Sequence, residues 1–432
     1  MSANAHSTAY RYFQLLVIIM AAGAVYPLLY LRQNFEVSIL ESFGITITEL
    51  SQCYAMLGVL FVITYVPSGW LADRVSPRLL VAFSLAGTGL LGLWFSTMPS
   101  FTALQVIFAG WGVATGLTFW SAHIKMVALL AHPEEQGRFF GFLDGGRGLF
   151  EAILATIAVA LFAYALQTRG ETTEQALRQV IYLYIAVLLV LCPLVYLVLD
   201  DNRPNGTAGA GDQHTGNFVA DLKQVLGKTE IWLCAICIVC GYQLFWATYS
   251  FSAYLQQTFG LTAVAVGSIT VAKLWMRPIG AAAAGIAGDF LDRERVLGVL
   301  LILASFSLLA MAFLPSSAAA IVMLGMVLMV GILTYAVRGI YWATLDGCAV
   351  PDRIKGLAIG VISLVGYSPD IYLPLLNAAL LERFPGREGY MIYFVGISMM
   401  DFVGAFAAWQ LRSRVRQAAC TDSSAPLASE QV

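Results

Sequence analysis

Residues Phe43–Arg78, FGITITELSQCYAMLGVLFVITYVPSGWLADRVSPR, have a gapless counterpart 216 positions later, where Phe259–Glu294 reads FGLTAVAVGSITVAKLWMRPIGAAAAGIAGDFLDRE and Arg295 follows. Phe43, Gly44 and Thr46 fall on Phe259, Gly260 and Thr262, while Gly69 and Asp73 fall on Gly285 and Asp289. The register extends upstream, with Tyr26 on Tyr242 and Tyr30 on Trp246. A period this long is not that of a solenoid. Each copy is a long apolar segment ending in Gly-x-x-x-Asp and a short basic turn, the pattern of a membrane span meeting an aqueous loop. Two such halves are how many transporter folds are built.

Composition points the same way. The 432-residue chain is 59% hydrophobic and 12% charged, against about 25% charged in soluble domains, so it has too little polar surface to cover a water-soluble body. The net charge of −2 and the absence of RNP, zinc-finger and Walker patterns give no nucleic-acid footprint. The seven cysteines lie mostly inside apolar runs, which suits free thiols. Cys234, Cys237 and Cys240 share a helix face, yet no histidine or carboxylate sits near them in sequence, so small residues packing between helices is the reading and neither metal nor cofactor is expected. No nucleophile–base pair or nucleotide loop suggests an enzyme.

Residues 1–11 lack the features of a cleaved leader, so the first apolar run is read as an uncleaved span. Twelve apolar runs follow, numbered here spans 1 to 12: 12–31, 47–69, 79–98, 102–130, 139–165, 179–199, 229–256, 263–287, 296–314, 317–346, 356–381 and 389–411. Each approaches or exceeds the ~20 residues that cross a bilayer as a helix. The expected fold is therefore an all-α membrane protein with twelve transmembrane helices in two pseudo-symmetric bundles. Residues 1–199 form the first bundle, 200–228 a Gly/Asn/Asp-rich cytoplasmic linker turning helical towards its end, 229–416 the second bundle, and 417–432 a disordered tail. With the N-terminus inside, fourteen lysines and arginines fall in cytoplasmic segments and four in the opposite loops, which places both termini in the cytoplasm.

Twelve spans in two halves, with Gly69-Trp-Leu-Ala-Asp73-Arg74-x-Ser-Pro-Arg78 between spans 2 and 3 and a degenerate Gly285-Ile-Ala-Gly-Asp289 copy between spans 8 and 9, resemble the major facilitator superfamily. The resemblance covers essentially the whole chain. It implies that spans 1, 4, 7 and 10 line a central cavity, that the halves rock about it in alternating access, and that Gly69, Asp73, Arg74, Arg78, Gly285, Asp289 and Arg293 form a conformational gate on the cytoplasmic side. Independently, Gly69 suits close helix approach. Span 4 departs from the many proton-coupled members that carry an arginine there, offering Trp120, His123 and Lys125. Span 5 has Gly141-Phe-Leu-Asp144-Gly145-Gly146-Arg147-Gly148 in place of the Gly-Pro pattern of drug/proton antiporters, which disfavours multidrug efflux. Within the superfamily, Arg338-Gly-Ile-Tyr-Trp-Ala-Thr-Leu-Asp346 and Gly366-Tyr-Ser-Pro-Asp370 resemble a bacterial branch near the porters of small organic and inorganic anions.

Six basic residues lie inside spans: Arg32, Lys125, Arg147, Lys273, Arg277 and Arg338. A charge within the bilayer is costly unless paired or facing water, so each marks a functional hypothesis. At 1.5 Å rise per residue, Arg277 lies about 18 Å from Asp289, near the midplane, in one layer with Arg338 and Glu151 and with Asp370 about a turn beyond. Offsetting span 5 by 219 brings Gly137 and Gly141 onto Gly356 and Gly360, and Glu151 onto Asp370. Arg277 falls on Phe61 and Arg338 roughly on Trp120, so the bases belong mainly to the second half. Candidate pairs are Arg338 with Asp370, Arg147 with Glu151, and Lys125 with Asp144. That leaves Lys273 and Arg277, like charges one turn apart with no acid on their helix, to bind an anion together with Arg338. The opposing reading pairs Arg277 and Lys273 with Asp370 and Glu151 across the halves.

Tyr26 and Tyr30 on span 1, and Tyr242, Gln243, Trp246 and Tyr249 on span 7, supply aromatic surface and a hydrogen-bonding group for an organic solute. The expectation is a monomeric secondary transporter of the bacterial inner membrane for a small anionic organic solute. A proton or an exchanged anion is the coupling partner, with Glu151, Asp370 and Asp144 the carboxylates able to carry a proton. Two rivals are a transporter of a neutral or zwitterionic solute (sugar, amino acid, nucleoside), whose intramembrane charges all pair structurally, and a non-transporting membrane sensor, a class that usually carries a large soluble domain.

Overall fold

The computed structural model describes residues 8–130, 136–200, 218–315 and 318–423. Among them every regular element is helical. Helices suit a bilayer interior, because a helix satisfies its backbone polar groups within itself. Eleven helices are long and apolar enough to cross a membrane. They are span 1 (Thr8–Phe43), span 2 (Ile47–Tyr65), span 3 (Pro77–Phe95), span 4 (Phe101–Val127), span 5 (Phe142–Gln167), span 6 (Thr173–Val198), span 7 (Thr229–Phe259), span 9 (Arg293–Ala312), span 10 (Ala320–Leu345), span 11 (Ala358–Arg383) and span 12 (Arg387–Gln417). The expected span 8 is two shorter helices, Ala263–Leu274 and Met276–Phe290, meeting at Trp275. Pro278 lies just past the junction and has no N–H to return to the Leu274 carbonyl, which accounts for the break.

The repeated stretch folds alike in both halves. Gly44 (φ 60°) and Gly260 (φ 66°) close spans 1 and 7 in the left-handed conformation that favours glycine. Thr46 and Thr262 then cap the next helices, each accepting a backbone N–H at 3.2 Å, and Glu49 completes a capping box in the first copy. Spans 1 and 7 are also interrupted at matching levels, by the turn at Tyr30 and Leu31 and by the 3-10 turn Thr248–Ser250. Beyond the turn in span 1, Arg32 and Glu36 form a fully buried ion pair, with Arg32 Nε donating to Glu36 at 2.7 Å.

The halves meet along two seams, spans 2 with 11 and spans 5 with 8, which the repeat makes equivalent. Glycine sets the separation at each. A methyl group on Gly58 would come 2.6 Å from the Asp370 carbonyl oxygen, and one on Gly148 would come 2.7 Å from Arg277 Cδ. At the end away from the termini the halves are also tied by Ser252 Oγ donating to the Arg32 carbonyl at 3.2 Å, and by Thr48 donating to Glu382.

Phe218–Leu226 is a helix at the end of the expected linker. The rest of the linker, 201–217, lies outside the described residues. Span 12 continues as helix to Ser423, so the first part of the expected tail is helical. Of the expected gate, the side chains of Asp73, Arg74 and Asp289 lie outside the described part. A methyl group on Gly69 would meet only Ser121 Oγ at 4.0 Å and one on Gly285 nothing within 4 Å, so among the described residues close approach does not require either glycine. Arg78 packs on the Tyr196 ring (5.2 Å) and Arg293 donates to the Ala343 carbonyl at 3.3 Å, each within its own half.

Candidate functional site

Between the halves lies a cavity with about 780 Å³ of atom-free space, including that open at its mouth. Its walls are aromatic or charged: Tyr26, Tyr30, Phe61, Tyr65 and Trp120 from the first half, Tyr242, Phe245, Tyr249 and Tyr367 from the second, and Arg147, Glu151, Arg277, Arg338 and Asp370 among them. Gly116 completes the lining, and among the described residues no aliphatic side chain takes part. Gly116 sits in a π-helical turn, Val113–Leu117, where span 4 presses against Thr64 and Phe61 of span 2. The layer expected from helical rise, Arg277, Arg338 and Glu151, and Asp370 about a turn beyond it all face a common space.

None of the three candidate pairs forms, while Arg277 pairs with Glu151 across the halves as the opposing reading has it. Arg277 Nη1 donates to Glu151 at 2.7 Å across the seam between spans 8 and 5, with Asp144 at 3.6 Å. Arg147 bonds Asp144 at 3.3 Å rather than Glu151, which already holds Arg277. Lys125 Nζ donates to the Ala72 carbonyl at 2.9 Å rather than serving Asp144. Asp370 does not hold Arg338; its Oδ1 accepts from Tyr242 hydroxyl and Trp246 Nε1, each at 2.7 Å, because span 7 brings those two donors one turn apart against the start of the helix carrying Asp370.

Arg338 instead lays its guanidinium on the Phe245 ring, 3.9 Å from the centroid, and lies 5.7 Å from that of Tyr242. Among the described residues no carboxylate forms an ion pair with it. Stacking occupies the face of the guanidinium and leaves its N–H edge open.

Lys273 is off the cavity. It is fully buried, donating to the Thr248 carbonyl at 3.3 Å with the Phe251 ring 5.7 Å away. The break at Trp275 is the cause: Lys273 and Arg277 are four apart, but the helix between them is interrupted, so one turns to span 7 and the other to span 5. Gln243 and Trp246 are likewise not in the lining: Gln243 donates to Tyr372 hydroxyl at 3.0 Å, and Trp246 stands behind the lining residue Asp370, donating to it at 2.7 Å. His123 is packed, stacked on Phe119 (4.6 Å) with Nδ1 3.0 Å from the Phe119 carbonyl.

Of the lining residues that sequence reasoning did not single out, Phe61 and Trp120 had a signal, since the repeat aligns them with Arg277 and Arg338. Phe245 lies one turn from Gly241 and Tyr249 on a span already expected to line the cavity. Tyr65 and Tyr367 had none: their repeat partners are Ala281 and Gly148, so each projects into space that the other half leaves empty.

A family model described as Major Facilitator Superfamily matches residues 12–374. Two Escherichia coli (strain K12) proteins are similar over nearly the full length: inner membrane protein YqcE is 27% identical, covering 99% of this chain and all of its own, and inner membrane protein YihN is 24% identical, covering 93% and 95%. Among solved structures, a bacterial homologue of the human lysosomal transporter Spinster, in an inward-facing and unoccupied conformation, superposes with a TM-score of 0.72 over 95% of this chain and 98% of its own at 15% identity. Nucleoside transporter NupG gives 0.70 over 93% and 99% at 13% identity. At those identities the structures speak to the fold alone.

Proposed function

Since this chain belongs to the major facilitator superfamily and is a multi-pass membrane transporter rather than an enzyme, we propose that its cargo is a small organic anion held by Arg338 and carried across the cytoplasmic membrane as the two halves rock about the central cavity. The observation that carries this reading is that Arg338 has no ion-pair partner among the described residues. Arg277 and Arg147 are neutralised by Glu151 and Asp144, and Asp370 is held by two neutral donors, while Arg338 lines the same cavity with its N–H edge uncommitted. An unpaired cation in a low-dielectric, aromatic-walled space attracts an anion, and a carboxylate or phosphate matches the geometry of its edge. Tyr26, Tyr30, Phe61, Tyr65 and Trp120 close the site from the other half, so a bound solute touches both moving bodies. The termini are then cytoplasmic, and Arg277–Glu151 is a strut of the state seen here.

The test is ligand-induced thermal stabilisation of the purified protein with carboxylates, organophosphates, sugars and amino acids, in parallel with Arg338→Gln. Loss of a charge-assisted contact of about 1.5–3 kcal/mol weakens an anion by about ten- to a hundred-fold. If a neutral solute stabilises parent and variant equally and no anion does so, the rival reading holds and all the cavity charges are structural.

A further inference from the structure

Four tyrosines that line the cavity, Tyr26, Tyr30, Tyr65 and Tyr249, have hydroxyl groups with no hydrogen-bond partner among the described residues, and none of these oxygens is sealed from the cavity space. The other two lining tyrosines differ: Tyr242 donates to Asp370, and Tyr367 accepts from Trp342 Nε1 at 3.0 Å. The four open hydroxyls surround the space from both halves. Tyr30 and Tyr249 stack across the halves with centroids 5.2 Å apart and planes 4° apart, and the Tyr65 ring lies 6.5 Å from that of Tyr367 across the seam of spans 2 and 11.

A solute filling this space displaces the water that serves those hydroxyls. If it offers no hydrogen bonds of its own, each phenol is left buried and unsatisfied, which weakens binding several-fold per group. If it carries hydroxyls, each phenol regains a partner, because a phenol both donates and accepts. The ring faces meanwhile suit the C–H faces of a saturated ring as well as an aromatic one. Resting on the anion reading above for its charge, we propose that the cargo is a polyhydroxylated anion, a sugar-acid or sugar-phosphate type of molecule, with its anionic group at Arg338 and its hydroxyls on Tyr26, Tyr30, Tyr65 and Tyr249. A bare alkyl or aryl carboxylate is excluded by the same four groups.

The experiment compares dissociation constants of the purified protein for glucuronate and glucose 6-phosphate, for cyclohexanecarboxylate and benzoate as monoanions without hydroxyls, and for glucose as the neutral polyol. The parent, Tyr65→Phe, Tyr249→Phe and Arg338→Gln are measured side by side, and the phenylalanine variants keep the ring, so their ligand-free melting points report that the fold is retained. The expected result is that at least one hydroxylated anion binds ten-fold or more tighter than cyclohexanecarboxylate, and that each tyrosine variant reduces this preference about three- to ten-fold, in part by tightening cyclohexanecarboxylate, which no longer leaves that phenol unsatisfied. The two sources of the anion separate by whether glucuronate or glucose 6-phosphate is preferred. Equal binding of cyclohexanecarboxylate, a preference untouched by both tyrosine variants, or no binding of either hydroxylated anion overturns the inference. Loss of every anion, hydroxylated or not, in Arg338→Gln with no hydroxyl preference in the parent leaves the anion reading standing alone. A hydroxyl preference that survives Arg338→Gln unchanged and extends to glucose overturns the anion reading instead.

Discussion

The bond from Arg277 to Glu151 joins the two halves directly, and its strength follows from its surroundings. The contact is 2.7 Å, with side-chain exposures of 11% and 20%, so water reaches it only at the edge. Unit charges about 4 Å apart at an effective dielectric of about 20 attract by about 4 kcal/mol. Glu151→Gln removes that charge but keeps a carbonyl acceptor for Nη1, and Asp144 at 3.6 Å still faces Arg277. About half the attraction is thereby retained, and the expected loss is about 2 kcal/mol, or about thirty-fold in an equilibrium that breaks the contact. Arg277→Gln costs somewhat more, because Glu151 and Asp144 then lose their shared cation. A double-mutant cycle on these two positions, read by reversible denaturation in a fixed detergent, isolates the pair. A coupling of about 1.5–2 kcal/mol is expected. If the single effects add to within about 0.5 kcal/mol, the pair does not hold the halves together and the strut is refuted.

Other consequences are as specific. Gly58→Val places a side chain against the Asp370 carbonyl, where there is 2.6 Å for its first carbon; we expect at least the 1–3 kcal/mol of ordinary overpacking in thermal unfolding, roughly, and transport reduced with it, whereas Gly285→Ala, with nothing within 4 Å, is neutral in both assays. Trp246→Phe removes one of two donors to Asp370 while keeping most of the ring, and a charge-assisted bond of about 1.5–3 kcal/mol is lost from the unfolding free energy; an unchanged value refutes the assignment. Outside the spans, the Asp292 carboxyl accepts from Arg412 and Arg416 at 2.7 Å each and is held below the usual carboxylate range by these bonds and charges. A depressed folded pKa contributes stability above the unfolded value that disappears as pH falls through the folded one. The melting-point difference between parent and Asp292→Asn is therefore small at pH 7, reduced by salt, and absent once the pH falls below the folded pKa; a difference that grows on acidification refutes the pairing.

Much of this was legible in the chain because it depends on local pattern and on depth. The repeat, the apolar runs, the capping threonines and the left-handed glycines are short-range properties, and helical rise placed Arg277, Arg338 and Glu151 in a single layer, with Asp370 about a turn beyond, without any knowledge of packing. The count of spans met one local exception, where Pro278 divides span 8 into two helices, and that same break set Lys273 and Arg277 on different courses. What only the tertiary structure decided is which charges are spent. Pairing depends on which helix faces meet, and those faces are chosen by close approaches at Gly58 and Gly148 between segments far apart in sequence. An ion pair is fixed over a few ångströms, while sequence spacing and hydropathy locate a side chain only to within about a turn of helix. Arg277 was thus recognisable as a membrane-buried cation, but that Glu151 from the other half neutralises it, while Arg338 stacks on Phe245 with no carboxylate partner among the described residues, follows from the contact between two bundles that no single helix encodes.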